Sequence, residues 1–132
     1  MNLENDFTPP KQALALNNVG FDEPCFKYIY VGDTANNVNQ YLEVEPSKAK
    51  NYNADDLCIS QPTFSHAFRW FREKHGIHSI IEITIDDKWY FSIFNLNEKR
   101  NAEIETIEFY FDKYEQAELA CLKKLIEIVK NK

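Results

Sequence analysis

The chain has 132 residues, a hydrophobic fraction of 44%, a charged fraction of 27% and a formal net charge of −6. That length suits one domain able to bury roughly two thirds of its unfolded surface, and the acidic balance works against a surface built to hold a phosphate backbone. Three glycines leave little material for a phosphate-cradling loop, and no apolar run reaches the ~20 residues of a bilayer-spanning helix.

The opening "MNLENDFTPP" has neither the basic region nor the apolar region of a secretion signal. "TPPKQALALNNVG" then offers Thr8 as a helix cap and two prolines suited to a first helical turn. Ala13, Leu14 and Leu16 supply an apolar side and Gly20 a stop, so a short helix is predicted near 9–18. "CFKYIYV" (25–31) is β-branched and aromatic and is predicted as a strand. Residues 32–61 are polar and turn-rich, with a brief strand at "QYLEVE" or a long loop as equal alternatives.

A second helix is predicted from Pro62 to just before Gly76. Phe64, Ala67, Phe68 and Phe71 recur at helical spacing and form its buried stripe. Ser65, Arg69, Arg72 and Glu73 form its solvated back. "HSIIEITIDDKWYFSIFNL" reads as a hairpin in which Ile81, Ile83 and Ile85 alternate with Glu82 and Thr84 and Asp86-Asp87 turns the chain. The returning strand is apolar on both faces, with Trp89, Phe91 and Ile93 on one and Tyr90 and Phe94 on the other. A strand wet on one side would alternate cleanly, so its second face calls for a cover, either the N-terminal third or another chain. "NAEIETIEFYF" (101–111) is predicted as a third strand. Asp112 and Glu115 resemble a capping box opening a helix over 113–130, whose buried stripe is Tyr114, Ala117, Cys121, Leu125 and Ile128.

The fold class expected is α+β: one mostly antiparallel sheet of three to four strands packed by two main helices. The whole chain, 1–132, is expected to be a single domain. Residues 1–45 form an N-terminal helix-strand extension, 46–61 a loop, and 62–130 a core in the order α-β-β-β-α.

Three segments, "FTPPKQALALNNVGFDEPCF", "PTFSHAFRWFREKHGIHSII" and "FDKYEQAELACLKKLIEIVK", together resemble small proteins encoded by phages and prophages of gut bacteria. They cover the chain apart from 32–61, and the departure is "TPPKQ", where a tyrosine and an acid are expected after the first proline. The resemblance implies a mobile-element product working inside its host cell. It carries no catalytic residues to this chain.

The chemistry-bearing residues point away from catalysis. His75 and His78, with His66 upstream, have ligand-like spacing, but a zinc site needs three or four converging ligands and no cysteine lies nearby in sequence. Cys121 sits in an apolar stripe, as an inert thiol would. Asp22 and Glu23 beside Cys25 should raise its pKa. Three cysteines, odd in number and widely spaced (Cys25, Cys58, Cys121), suit reduced thiols rather than a disulfide framework. The paired acids Asp55-Asp56 and Asp86-Asp87 sit at predicted turns, where Asp serves the backbone. No catalytic residue, cofactor or metal is expected, and the location expected is cytoplasmic.

Charge is unevenly placed. Residues 1–60 hold four cations against nine acids (−5), 61–102 six against five (+1), and 103–132 five against seven (−2). The α-β-β-β-α order is that of double-stranded-RNA-binding domains, yet the last helix begins "DKYEQAE", acidic where such a domain needs cations. The expected function is therefore non-enzymatic protein–protein contact with a phage or host protein or a second copy of the chain, and no membrane. A nucleic-acid-binding module is the alternative and a small enzyme the third reading. The candidate interaction surface is Arg69, Arg72, Lys74, Tyr90 and Phe94.

Overall fold

A computed structural model describes residues 3–25, 27–30, 39–42, 58–95, 102–106 and 110–131. The chain divides into two compact units, Met1–Phe64 and Ser65–Lys132.

In the first unit a 3-10 turn (Leu3–Asp6) precedes α1 (Pro10–Asn18). The cap of α1 is Pro9, not Thr8. Thr8 is instead fully buried, and both its backbone N–H (2.9 Å) and its hydroxyl (3.0 Å) donate to the Pro62 carbonyl. The Gln61 amide returns a bond to the Thr8 carbonyl at 2.6 Å. The threonine signal is a local one, and a long-range clasp overrides it. At the other end, Gly20 adopts φ 99, Gly20 N–H meets the Asn17 carbonyl, and Phe21 N–H meets that of Leu16. This is a Schellman stop, and its hydrophobic pair, Leu16 and Phe21, is buried.

Strand β1 (Lys27–Tyr30) pairs antiparallel with both β2 (Asn39–Leu42) and β3 (Cys58–Ser60), in the order β2-β1-β3. Ala13 of α1 packs with Ile29 and Ile59 from the sheet, and Leu14 leans on them. Strand β2 begins at Asn39, one residue before the predicted "QYLEVE" segment, and takes in its first three residues. The remainder of that segment and most of the predicted loop lie outside the described residues.

The second unit begins one residue into α2 (Phe64–His75) and continues with β4 (Ile77–Ile83), β5 (Trp89–Asn95), β6 (Ala102–Thr106) and α3 (Tyr114–Lys130). Its sheet has the antiparallel order β4-β5-β6. The architecture is α+β, but the strands fall into two three-stranded sheets where one sheet was expected. The second sheet exists because β1 pairs with β3 across about thirty residues, a contact with no local sequence signal.

Helix α3 packs on β4 and β5. Its buried residues are Ala117, Cys121, Leu122, Leu125 and Ile126. The expected stripe is thus turned by roughly 50°, about half of one residue step: Tyr114 is exposed and Ile128 half-buried, while Leu122 and Ile126 are buried. The predicted box of Asp112 and Glu115 moves by one residue, with the Gln116 side chain accepting the Lys113 N–H at 3.2 Å. The Asp112 carboxylate accepts from the Lys88 ammonium instead. In α2 the buried residues are Phe64, Ala67, Trp70 and Phe71. Phe68 is only half-buried, so Trp70 takes the place assigned to it.

Candidate interaction surface

The β4–β5 hairpin sets the geometry. Thr84 N–H donates to the Lys88 carbonyl (2.6 Å) and Asp87 N–H to the Thr84 carbonyl (3.1 Å). Asp87 has φ 58, a left-handed residue closing a three-residue loop. Ile85 is therefore a turn residue, 98% exposed, and does not continue the buried alternation expected of it. From Thr84 backwards the ladder is unbroken, with Ile83 opposite Trp89, Ile81 opposite Phe91 and Ser79 opposite Ile93.

Side chains of opposed residues share a face. One face carries Ile77, Ser79, Ile81, Ile83, Trp89, Phe91 and Ile93. It is the face under α3: the Ser79 side chain bonds to the Cys121 thiol, and the Trp89 ring meets Tyr114 edge-on at 5.2 Å. Phe91 and Ile93 are completely buried there. The other face carries His78, Ile80, Glu82, Tyr90, Ser92 and Phe94.

This second face is the candidate surface. Ile80 is 45% exposed, and Tyr110, 62% exposed, sets its ring edge-on to Tyr90 at 6.0 Å. The Tyr90 hydroxyl donates to Glu82 Oε2 at 2.6 Å, and this bond, which holds the phenol in its protonated form, is the main cause raising the Tyr90 pKa, with desolvation and the Glu82 charge adding to it. The result is an apolar and aromatic patch with a fixed acid in it.

Of the five residues expected to form an interaction surface, Tyr90 and Phe94 lie on this face, both half-buried. Arg69, Arg72 and Lys74 are exposed on α2. No hydrogen bond, ion pair or ring contact among the described residues links these three cations to the two aromatics. Ile80 and Tyr110 are the members sequence reading missed. The signal for Ile80 was its parity with Glu82, which puts it on the wet face. For Tyr110 the signal was its alternation with Phe109 and Phe111, which puts it on the side of Glu108, but its pairing with Tyr90 is set by the way the chain enters α3.

The His75 ring packs edge-on against Trp70 at 4.8 Å and lies 6.1 Å from Phe71. His78 sits on the open face of β4. Among the described residues no three His, Cys, Asp or Glu side chains converge as metal ligands. Burial, above all, pushes the Cys25 thiol up to about 12; a Ser60 hydrogen bond opposes this and the Glu23 charge adds to it. Cys121 is likewise pushed up to about 12, first by burial, with Ser79 opposing and Glu118 adding. A thiol held that far above neutrality supplies no nucleophilic thiolate. In Cys25 the neighbouring acid matters, but less than desolvation does.

No helix among the described residues is long and apolar enough to cross a membrane. Compared with protein-family models, with curated proteins and with solved structures, the chain matches none.

Proposed function

We propose that the chain is a non-enzymatic accessory protein of a phage or prophage, acting in the host cytoplasm through protein–protein contact on the open face of the β4–β5 hairpin. The observation carrying this reading is the combination of Ile80, Tyr90 and Tyr110 at the surface. Aromatic and aliphatic side chains standing together outside a core mark contact sites more often than isolated ones do. The mobile-element origin rests on the three resembling segments alone. The finer account of the fold, a three-stranded sheet packed by α2 and α3 in the order of double-stranded-RNA-binding domains, supports the rival reading. The rival is weakened by the start of α3, where Glu115 is exposed and the cap residue Lys113 is the one cation among residues 112–118.

The test is capture from a phage-infected or lysogenic host with the parent chain, Tyr110→Ala, and the pair Arg69→Glu with Arg72→Glu. A partner lost with Tyr110→Ala and kept by the arginine pair supports the open face. A partner lost only with the arginine pair, or released by modest salt, moves the function to the cationic side of α2.

A further inference from the structure

Strand β4 is the outer strand of its sheet. Its backbone alternates: Thr84 is bonded to Lys88 across the hairpin, so the even residues 82, 80 and 78 turn their N–H and C=O toward β5. The odd residues 77, 79, 81 and 83 turn theirs outward. Among the described residues no strand pairs with that outer side. Exposed edges are normally guarded by charged side chains, lysine above all, by proline, a bulge or extreme shortness, and here the one acid, Glu82, is already engaged by Tyr90 of the same chain. The sequence "IHSIIEI" has no lysine and no proline, runs for 7 residues and keeps its register throughout. Ile80 and Ile83 are 45% and 50% exposed on it.

We infer that this edge pairs with the same edge of a second copy, antiparallel about a two-fold axis at Ile80. Charge complementarity selects the register. With Ile80 opposite its own symmetry mate, His78 faces Glu82 of the second copy and Glu82 faces its His78. An imidazole donor then meets a carboxylate at both positions. Glu82 Oε2 is used by Tyr90, and Oε1 is left to accept. Shifting the register by two residues either way removes His78 from Glu82. In the Ile80 register the outward groups of 77 and 79 meet those of 83 and 81, so the ladder closes along the whole strand. The pairs 78 with 82 and 80 with 80 become the non-hydrogen-bonded ones, whose side chains stand closest, with Cα atoms about 4.5 Å apart. The axis runs through the sheet, so both copies keep Tyr90, Phe94 and Tyr110 on the same side. The proposed contact face is then doubled and continuous. The inference concerns the strand edge and does not require that face to bind another protein.

Sedimentation of the purified chain over rising concentration tests it, with three variants. The parent is expected to pass from monomer to dimer. His78→Glu, which puts two carboxylates opposite each other twice per dimer, should weaken association roughly tenfold. Adding Glu82→Lys to it should restore the dimer by reversing the pairs. Ile80→Cys should oxidise to a covalent dimer within disulfide reach, while Ile85→Cys at the hairpin tip should stay largely uncrosslinked. A parent that remains monomeric at several hundred micromolar (far above the ~10 μM expected of a specific weak dimer) overturns the proposal. So does a dimer indifferent to His78→Glu, or equal crosslinking at 80 and 85. Loss of partner capture with Tyr110→Ala while the dimer persists separates the two surfaces.

Discussion

Trp89 and Phe111 exchange both of their backbone hydrogen bonds, N–H to carbonyl at 2.8 Å in one direction and 2.7 Å in the other. The pair ties the chain to the first residue of β5 three residues before α3 begins, and so decides where the helix lands. With its start held there, Tyr114 reaches the Trp89 ring and Cys121 reaches Ser79 two turns on. Breaking the Trp89–Tyr114 ring contact should therefore show as coupling. In a double-mutant cycle with Trp89→Ala and Tyr114→Ala, chemical denaturation should give an interaction of about 0.5–1.5 kcal/mol. Strict additivity would mean that the two rings act independently and that the backbone pair alone seats the helix.

Core and surface on the two long helices should separate clearly. Leu125 is completely buried, and Leu125→Ala should cost about 2–5 kcal/mol. Trp70→Ala, at 3% exposure, should cost about 3–5 kcal/mol. Phe68→Ala should cost less than Trp70→Ala because Phe68 is only half-buried, and Arg72→Ala should stay within about 0.5 kcal/mol. Equal losses at Phe68 and Trp70 in urea titrations would show that α2 is rotated from the orientation described.

Residues 67–71 show where periodicity runs out as a guide. Ala67 and Phe71 lie on the buried side by either phase of a helix, but Phe68 and Trp70 flank that line on opposite sides, and both are aromatic. Spacing cannot choose between them; the neighbours do, and Trp70 gains Phe71 and His75 as ring partners. The hairpin was legible because Asp86-Asp87 is a turn signal between β-branched runs, and its one error, Ile85, comes from extending the alternation past the start of the turn. The start at Pro10 and the stops at Gly20 and Gly76 were legible because they act through local backbone geometry, whereas α2 begins at Phe64, two residues after the expected Pro62, whose carbonyl is held by Thr8. Strand β3 was not, since three residues become a strand only by pairing with β1. The candidate surface divides in the same way. Tyr90 and Phe94 follow from counting along β5, whereas Tyr110 depends on a non-local approach.

The turn itself offers a local test. Asp87 holds a left-handed φ of 58, a region that costs ordinary residues about 1–2 kcal/mol, with Asp and Asn less penalised. Asp87→Gly should leave stability unchanged or raise it by up to about 1 kcal/mol. Asp87→Val should lower it by about 1–2 kcal/mol, since a β-branched residue tolerates this backbone badly. Thermal melts of the two variants check the sign. A stabilising valine would place the turn in another conformation.

Stability should fall at alkaline pH, and the thiols should contribute. Cys25 and Cys121 are pushed from 9.0 to about 12 in the folded chain. Below pH 9 both states hold these protons and the groups contribute no pH dependence. Between 9 and about 12 the unfolded chain loses them first, so it binds fewer protons than the native chain and stability declines as pH rises. The raised tyrosines Tyr90 and Tyr114 act in the same direction, so the thiol share is read from Cys121→Ala, whose slope above pH 9 should be shallower than the parent's. Near neutral pH, thiol reagents should label Cys25 and Cys121 slowly in the native chain and quickly once it is unfolded. Rapid native labelling at either position would reopen a redox or catalytic reading.

The choice between contact protein and nucleic-acid binder turns on where cations stand. A duplex-RNA binder of this element order contacts phosphates along helix ends and neighbouring loops with Lys and Arg. Here the first turn of α3 carries Glu115, Lys124 is paired with Glu127 at 3.4 Å, and Lys88 is engaged by Asp112. Lys113 at the cap of α3 and Lys123 further along it are exposed, and Arg69, Arg72 and Lys74 form an exposed group on α2, set in a chain of net charge −6. Three phosphate contacts give a log–log salt slope of only about −3, with weak binding to match. We therefore expect no measurable affinity for duplex RNA or single-stranded DNA at physiological salt, by fluorescence anisotropy up to tens of micromolar. Micromolar binding that falls steeply with salt and is abolished by Arg69→Glu or Arg72→Glu would reverse this conclusion. Contact through Ile80, Tyr90 and Tyr110 should instead tolerate added salt, because apolar burial is little affected by screening.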